Sequence, residues 1–541
     1  MSKKKRFLYL LSFVVIVAAV LTPLSLPATA GSDSTGFSAE RVAADIRYIS
    51  KEPHSIEHPQ ARDDVRNYLA DRLSDMGLEP RYCHYDSVIN RFGEPMNIAN
   101  LYTSVEPLYG AADSYILLIA HIDSRFKTRV RGKEVYSYGA ADDGYGLAVI
   151  LELLNNVLES RKEWKQGVKV LYTDSEESDL EGMKNALEYD SHIFHKVNLV
   201  INIEARGVRG PALLFETSSG NSELISLYKA AEYPYTYSMT SVIYNILPNY
   251  TDFSCLKESI PGLNFSVIDN LNYYHTDLDN YDNISLRSIQ HYGEQILPIL
   301  KSYLEGSLYG DSRAFISTED LHFFTVPHIG LFTLKSKTLL LLQYITLVIT
   351  LLLIFLYTMQ RRVLLKNILK ILFVNILVIV SGALSGYGIS YLLALITGQE
   401  FNLVKLTYIK GEYIIISLIL LLCYVAYAFV YKVSMRKKKA CSHLDLLSSG
   451  TLLLVVLSLV SYYAIGDNTL FFVPAAISTI ALLFNMFSFS TYTNYVGWTL
   501  ILLYLLPLSY CLVVAITIGA LAVFIPLCLL YLAVLIPLSR G

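Results

Sequence analysis

Apolar and polar positions divide this chain in two. Through residues 31–334 short apolar runs alternate with polar, turn-rich stretches, whereas residues 338–538 are a succession of long apolar blocks, with the border near 335–337. In the first part, the runs at 115–122, 168–173 and 197–203 are brief, apolar and rich in Ile, Val or Tyr, and 115–120 is continuous. That is the pattern of strands buried within a sheet. Between them, 145–159 and 179–189 carry helical patterns, as do 42–49 and 65–78 earlier, with Pro53 and Pro59 read as breaks between that earlier pair. A last helix is expected from 285 to about 303, with Ile289, Tyr292, Ile296, Leu300 and Tyr303 on one face. Strands alternating with helices predict an α/β fold, a mostly parallel central sheet flanked by helices, followed by an all-α polytopic membrane domain.

The apolar blocks read as about seven spans, at 338–358, 371–396, 412–431, 444–465, 470–488, 498–517 and 520–537. Arg361, Arg362, Lys366 and Lys370 flank the first two spans, and Arg436, Lys437, Lys438 and Lys439 fall on the same side two spans later. Both clusters mark the cytoplasmic side. Residues 1–30 carry Lys3, Lys4, Lys5 and Arg6, an apolar stretch from Phe7 to Leu26, and then Ala28-Thr29-Ala30. This is a signal peptide or an uncleaved signal anchor, and either one sends the polar half out of the cytoplasm, to the periplasm or exterior, or to a lumen. The expected plan is therefore 1–30 signal or anchor, 31–310 extracytoplasmic catalytic domain, 311–337 juxtamembrane segment and 338–541 membrane domain. Span centres lack Asp, Glu, Lys and Arg, which argues for an anchor and packing surface rather than a transporter. Gly382 and Gly386 are spaced for close helix packing.

Composition adds little beyond this. With 53% hydrophobic residues and a mean hydropathy of +0.40 the chain is too apolar for an ordinary soluble protein. A net charge of −3, without a basic stripe or aromatic-basic interleaving, gives no sign of nucleic acid as a partner. The six cysteines have no metal-ligand spacing; Cys83 and Cys255, alone in the polar half, could pair or stay free.

The chemistry lies at the strand ends. The strand ending at Ala120 runs into His121-Ile122-Asp123, and Gly139-Ala140-Ala141-Asp142-Asp143-Gly144 follows before a helix. The next strand leads to Glu176-Glu177, the one after it to Glu204, and a later loop carries Tyr274-His275. Each has a plain reading taken alone: a solvated acidic turn, a helix cap at Asp142-Asp143, a partner for Arg206, a hydrogen-bonded loop histidine. Together they put an acid or an imidazole at every strand tip on one side of one sheet, where open α/β folds build their sites. Two imidazoles and several carboxylates suit zinc, with manganese or cobalt as alternatives.

In this order the motifs resemble the di-zinc aminopeptidases of metallopeptidase family 28, over residues 40–305. Ile203-Glu204-Ala205-Arg206-Gly207, Leu214-Phe215-Glu216-Thr217 and Thr251-Asp252-Phe253 are similar to its multi-spanning branch, the vacuolar membrane proteases and Fxna-related endoplasmic-reticulum metallopeptidases. The resemblance implies two Zn2+ ions bridged by Asp142. His121 and Glu204 would complete one, and Glu177 and His275 the other. Many relatives have aspartate where this chain has Glu204, a departure that keeps the ligand. Asp123 would fix the His121 tautomer from behind, Glu176 would be the general base, and Tyr274 would donate to the developing oxyanion.

The expected function is a membrane-bound di-zinc metallopeptidase, an aminopeptidase that takes residues from peptide N-termini, with membrane lipid as its surroundings. Two alternatives stay open: a non-catalytic binding or receptor ectodomain on the same fold, and a glutaminyl-cyclase-like enzyme with one metal.

Overall fold

The computed structural model describes residues 3–20, 26–130, 132–247, 249–399, 401, 409, 411–436, 441–487 and 490–540. The basic residues Lys437, Lys438 and Lys439 singled out above lie outside the described residues. The chain forms two compact units, Thr22–Lys335 and a second made of Met1–Leu21 with Ser336–Gly541. Helix α1 (Lys3–Val20) belongs to the second.

The first unit is built on strands β1 (Arg81–Ile89), β2 (Pro95–Val105), β3 (Tyr115–His121), β6 (Gly167–Thr173), β7 (Val197–Ala205), β8 (Leu213–Thr217) and β9 (Gly262–Val267). They make one seven-stranded sheet in the order β1-β2-β6-β3-β7-β9-β8. The central strands β6, β3, β7 and β9 run parallel, while β1, β2 and β8 are antiparallel at the edges. A small hairpin, β4 (Thr128–Val130) with β5 (Lys133–Val135), stands apart, and β10 (Leu321–Val326) with β11 (Gly330–Lys335) forms another.

Every residue of β3 and β6 is buried. Alternate side chains serve opposite faces of the sheet, because the side-chain period of a strand is two. Ile116, Leu118 and Ala120 join the core under helices α2 (Ala39–Ile49), α3 (Pro59–Asp75), α4 (Gly144–Leu158), α6 (Ser222–Tyr228) and α8 (Leu286–Glu305). Leu117 and Ile119 face α5 (Glu181–Tyr189) and Phe253 on the other side. Helix α7 (Ser238–Ile246) packs near β8 and β10. Pro53 lies between α2 and α3, and Pro59 starts α3, where its missing N–H is one the first turn leaves unpaired anyway. Along α8, Ile289, Tyr292, Ile296, Leu300 and Tyr303 are all fully buried. Each such side chain contributes about 1.5–3 kcal/mol, so this face fixes the helix on the core.

The second unit holds α9 (Ser336–Met359), α10 (Leu365–Thr397), α11 (Glu412–Arg436), α12 (His443–Ile465), α13 (Thr469–Phe484), α14 (Ser490–Ile516) and α15 (Leu521–Arg540). Among the described residues six helices are long and apolar enough to cross a membrane; α13, over the stretch read as a fifth span, has only 16 residues and is not one of them. Gly382 and Gly386 let α10 approach α15, since a Cβ at Gly386 would clash with the Leu521 carbonyl oxygen. Buried polar side chains pair across helices here: Gln343 Nε2 donates to Ser458 Oγ at 3.1 Å and Asn468 Nδ2 to Gln343 Oε1 at 2.5 Å. No disulfide joins any of the described cysteines, Cys83 and Cys255 included.

Candidate metal centre

Parallel pairing brings the strand tips together. His121 closes β3 opposite Thr173 of β6, and Glu204 lies at the end of β7, the strand on the other side of β3. Asp174 to Glu177 continue from β6, the turn around Asp142 precedes α4, and His275 arrives on the loop after β9. Two groups result, His121 with Asp142 and Glu204, and Asp142 with Glu177 and His275, each with its donor atoms within 4.8 Å of one another. Asp142 is common to both. Its Oδ1 lies 3.2 Å from His121 Nε2, and its Oδ2 lies 3.2 Å from His275 Nε2. Glu204 Oε2 is 3.8 Å from His121 Nε2, and Glu177 Oε1 is 2.7 Å from His275 Nε2. All five residues singled out as metal ligands are thus in one place.

Do these residues fit a metal? Asp142 Oδ2, Glu177 Oε1 and His275 Nε2 are buried without a hydrogen-bond partner, although they converge on one another. Leaving such atoms unpaired costs about 1–3 kcal/mol each, more when charged. A cation among them removes that cost, and one imidazole with two carboxylates per position is a donor set suited to zinc. The electrostatics agree. Although burial opposes it, Asp123 and Asp142 hold the His121 imidazole well above its usual range, and Glu177 and Asp142 raise that of His275. The site draws positive charge.

Glu176 and Glu177 are adjacent in sequence and opposite in character. Burial, with Glu204, Glu177 and Asp252 nearby, pushes the Glu176 carboxyl well above the ordinary carboxylate range. Burial acts on Glu177 too, but His275 and Arg125 overcome it and hold Glu177 well below that range. Glu204, buried beside Asp142, is pushed up to about 8.

The supporting residues carry the surprises. His121 Nδ1 donates to the main-chain oxygen of Asp123 at 2.8 Å, whereas the Asp123 carboxylate stands 3.6 Å away. That carboxylate instead accepts the N–H groups of Glu176 at 2.8 Å and Glu177 at 3.2 Å. The tautomer is set by a carbonyl, and the carboxylate clamps the acidic loop. Asp143, unlike Asp142, is a helix cap: it accepts from Gly146 N–H at 3.1 Å and from His121 N–H at 3.1 Å. Tyr274 stacks on the His275 ring with centroids 3.6 Å apart.

Two residues were missed by sequence reasoning. Asp279, buried, accepts from Ala141 N–H at 2.7 Å, Asp142 N–H at 3.2 Å and Ser137 Oγ at 3.1 Å, and so holds the turn that presents Asp142. Its only signal was its place four residues after His275. Arg125 Nη1 donates to Glu177 Oε2 at 2.6 Å, and its signal was its place four residues after His121.

Residues 100–300 match Peptidase family M28. Endoplasmic reticulum metallopeptidase 1 of Mus musculus is 33% identical over 211 residues, 38% of this chain and 22% of that one. A vacuolar membrane protease of Leptosphaeria maculans is 25% identical over 296 residues, 51% of this chain and 36% of that one. The chain thus spans well under half the length of these relatives. Among solved structures, a glutaminyl cyclase from Bacteroides thetaiotaomicron is 18% identical with a TM-score of 0.41, covering 50% of this chain and 99% of that one. A Zn-dependent exopeptidase from Parabacteroides distasonis is 17% identical with a TM-score of 0.39, covering 49% of this chain and 98% of that one.

Proposed function

We propose that this chain, whose residues 100–300 match Peptidase family M28, is a membrane-bound, zinc-dependent aminopeptidase that uses two ions. The observation that carries the reading is the pair of three-residue groups sharing Asp142, with buried donor atoms left unpaired between them. His121, Asp142 and Glu204 would hold one ion, and Asp142, Glu177 and His275 the other. When bound, the ions polarise a carbonyl and make water a nucleophile near neutral pH. Glu176 is the proton carrier: it takes a proton from the attacking water and delivers it to the leaving amine. Asp123 supports it by holding the main chain at Glu176 and Glu177. Tyr274, stacked beside His275, offers its hydroxyl to the oxyanion as charge develops.

The catalytic half faces away from the cytoplasm in this reading, because Arg361, Arg362, Lys366 and Lys370 mark the opposite side. Peptide substrates accord with the names of the relatives, a metallopeptidase and a membrane protease, and the preference for a free N-terminus rests on the resemblance of the motifs alone. The test uses the full chain in detergent, with release of N-terminal residues from peptides followed before chelation, after it, and after zinc is restored. Loss and recovery of that release is the expected result. A folded protein that takes up no zinc and releases nothing would make it a binding module, and cyclisation of N-terminal glutamine with one zinc per chain would make it a cyclase.

A further inference from the structure

The segment between His121 and Asp142 holds a run that the net charge of −3 conceals: Arg125, Lys127, Arg129, Arg131 and Lys133 alternate at every second position. Among the described residues this run is tied to one side of the candidate centre. Arg125 Nη1 donates to Glu177 Oε2 at 2.6 Å, and Thr128 Oγ1, at the start of β4, donates to the His275 carbonyl oxygen at 2.8 Å. Phe126 carries two guanidinium groups: that of Arg125 lies 4.0 Å from its ring centroid, and that of Arg91, from the β1–β2 turn, lies 5.0 Å from it. Arg91 is itself anchored to the acidic loop, where its Nη1 donates to the Glu177 carbonyl oxygen at 3.3 Å.

The cations outnumber the acids that answer them. Lys127 has Glu134 at 3.7 Å and Arg91 has Asp179 at 3.9 Å, both loose, exposed pairs of little strength. Arg125 has Glu177, whose charge the proposed metal position also claims, and the buried Nε–H of Arg125 has no partner. Arg129 and Lys133 are exposed. An anion lying on this edge would face guanidinium forks that bind carboxylates in bidentate fashion. It would also stand beside the reacting groups, because the edge is bonded to Glu177 and to the His275 main chain.

We propose that this basic edge, led by Arg125 and Arg91 on Phe126, selects peptides that carry a carboxylate next to the bond to be cleaved. The carboxylate is an acidic side chain or a free C-terminus. The inference rests on the peptidase reading and goes beyond it by naming the substrate class.

The test compares isosteric substrate pairs on the zinc-loaded full chain: Leu-Glu-amide against Leu-Gln-amide, and Leu-Ala with a free against an amidated C-terminus. Cleavage is measured as kcat/KM, and binding of the same peptides is measured on the Glu176→Gln protein. The carboxylate member of at least one pair is expected to win by about tenfold, through KM and Kd, with the advantage shrinking in high salt. Arg91→Gln, at a half-exposed position, is expected to cut that ratio to about threefold or less. A preference in the first pair alone assigns a side chain, and in the second alone a C-terminus. Equal members in both pairs would overturn the proposal, as would a preference that Arg91→Gln leaves whole; an edge that serves anionic lipid would give the former result. Preferential binding without any cleavage by the parent protein would uphold the edge and refute the peptidase reading instead.

Discussion

The two candidate metal positions use the same donors, one imidazole, one glutamate and one oxygen of Asp142, yet they are mounted differently. His121 and Glu204 sit on neighbouring parallel strands, with side chains 1% and 10% exposed. Glu177 and His275 sit on loops; the His275 side chain is 20% exposed, and its backbone is in the left-handed region at φ 59. Arg125 further draws on the second oxygen of Glu177, which makes that carboxylate a weaker donor. Equal ligand sets therefore need not bind equally. Sites on strands hold geometry more closely than sites on loops, so the strand-held position is expected to be the tighter one.

The substitution with the largest expected effect removes what the positions share. Asp142→Ala should strip zinc from both, measured as metal per chain, and take peptide hydrolysis to background. Next comes Glu176→Gln, which spares both positions: both ions stay, while kcat falls by about 10²–10⁴-fold. The comparison itself is tested by graded chelation of the parent protein. Zinc is expected to leave in two steps about tenfold or more apart in chelator, the span that supporting contacts around a metal typically govern. His275→Ala should abolish the early step and His121→Ala the late one. A single step in the parent would show that mounting does not matter. An effect of the same order is expected at Asp279, which lies outside both ligand groups but holds the turn under Asp142. Asp279→Asn should weaken zinc binding by about 10–100-fold with the fold intact, as read from zinc titration and circular dichroism.

The strand-held position was also the more legible one in the sequence. β3 is an unbroken apolar run, and β6 and β7 are apolar apart from Lys169 and from Asn198 and Asn202, so His121 and Glu204 stood out at the ends of buried strands. The edge strand β1 buries only Tyr85, and β9 carries the polar residues Asn264 and Ser266 in its interior, so neither gave a clear signal. Asn264 is tolerated there because its Nδ2 donates to Glu216 Oε2 and Thr251 Oγ1, both at 3.0 Å. Loop residues obey no period. His275 was found through its motif rather than any pattern, and Asp279 and Arg125 act through bonds to main chain or to another ligand that only the fold brings within reach. The acid pair at Asp142-Asp143 holds two roles that the residue pattern alone does not separate, a ligand candidate and a helix cap, and only the resemblance pointed to Asp142 as the ligand.

The central claim is that one carboxylate serves two ions. Anomalous diffraction at the zinc absorption edge, on crystals of the zinc-loaded full-length protein, tests it most directly. Two peaks are expected, one touching His121 and Glu204, the other Glu177 and His275, and both touching Asp142. A single peak, or a pair of which only one reaches Asp142, would contradict it.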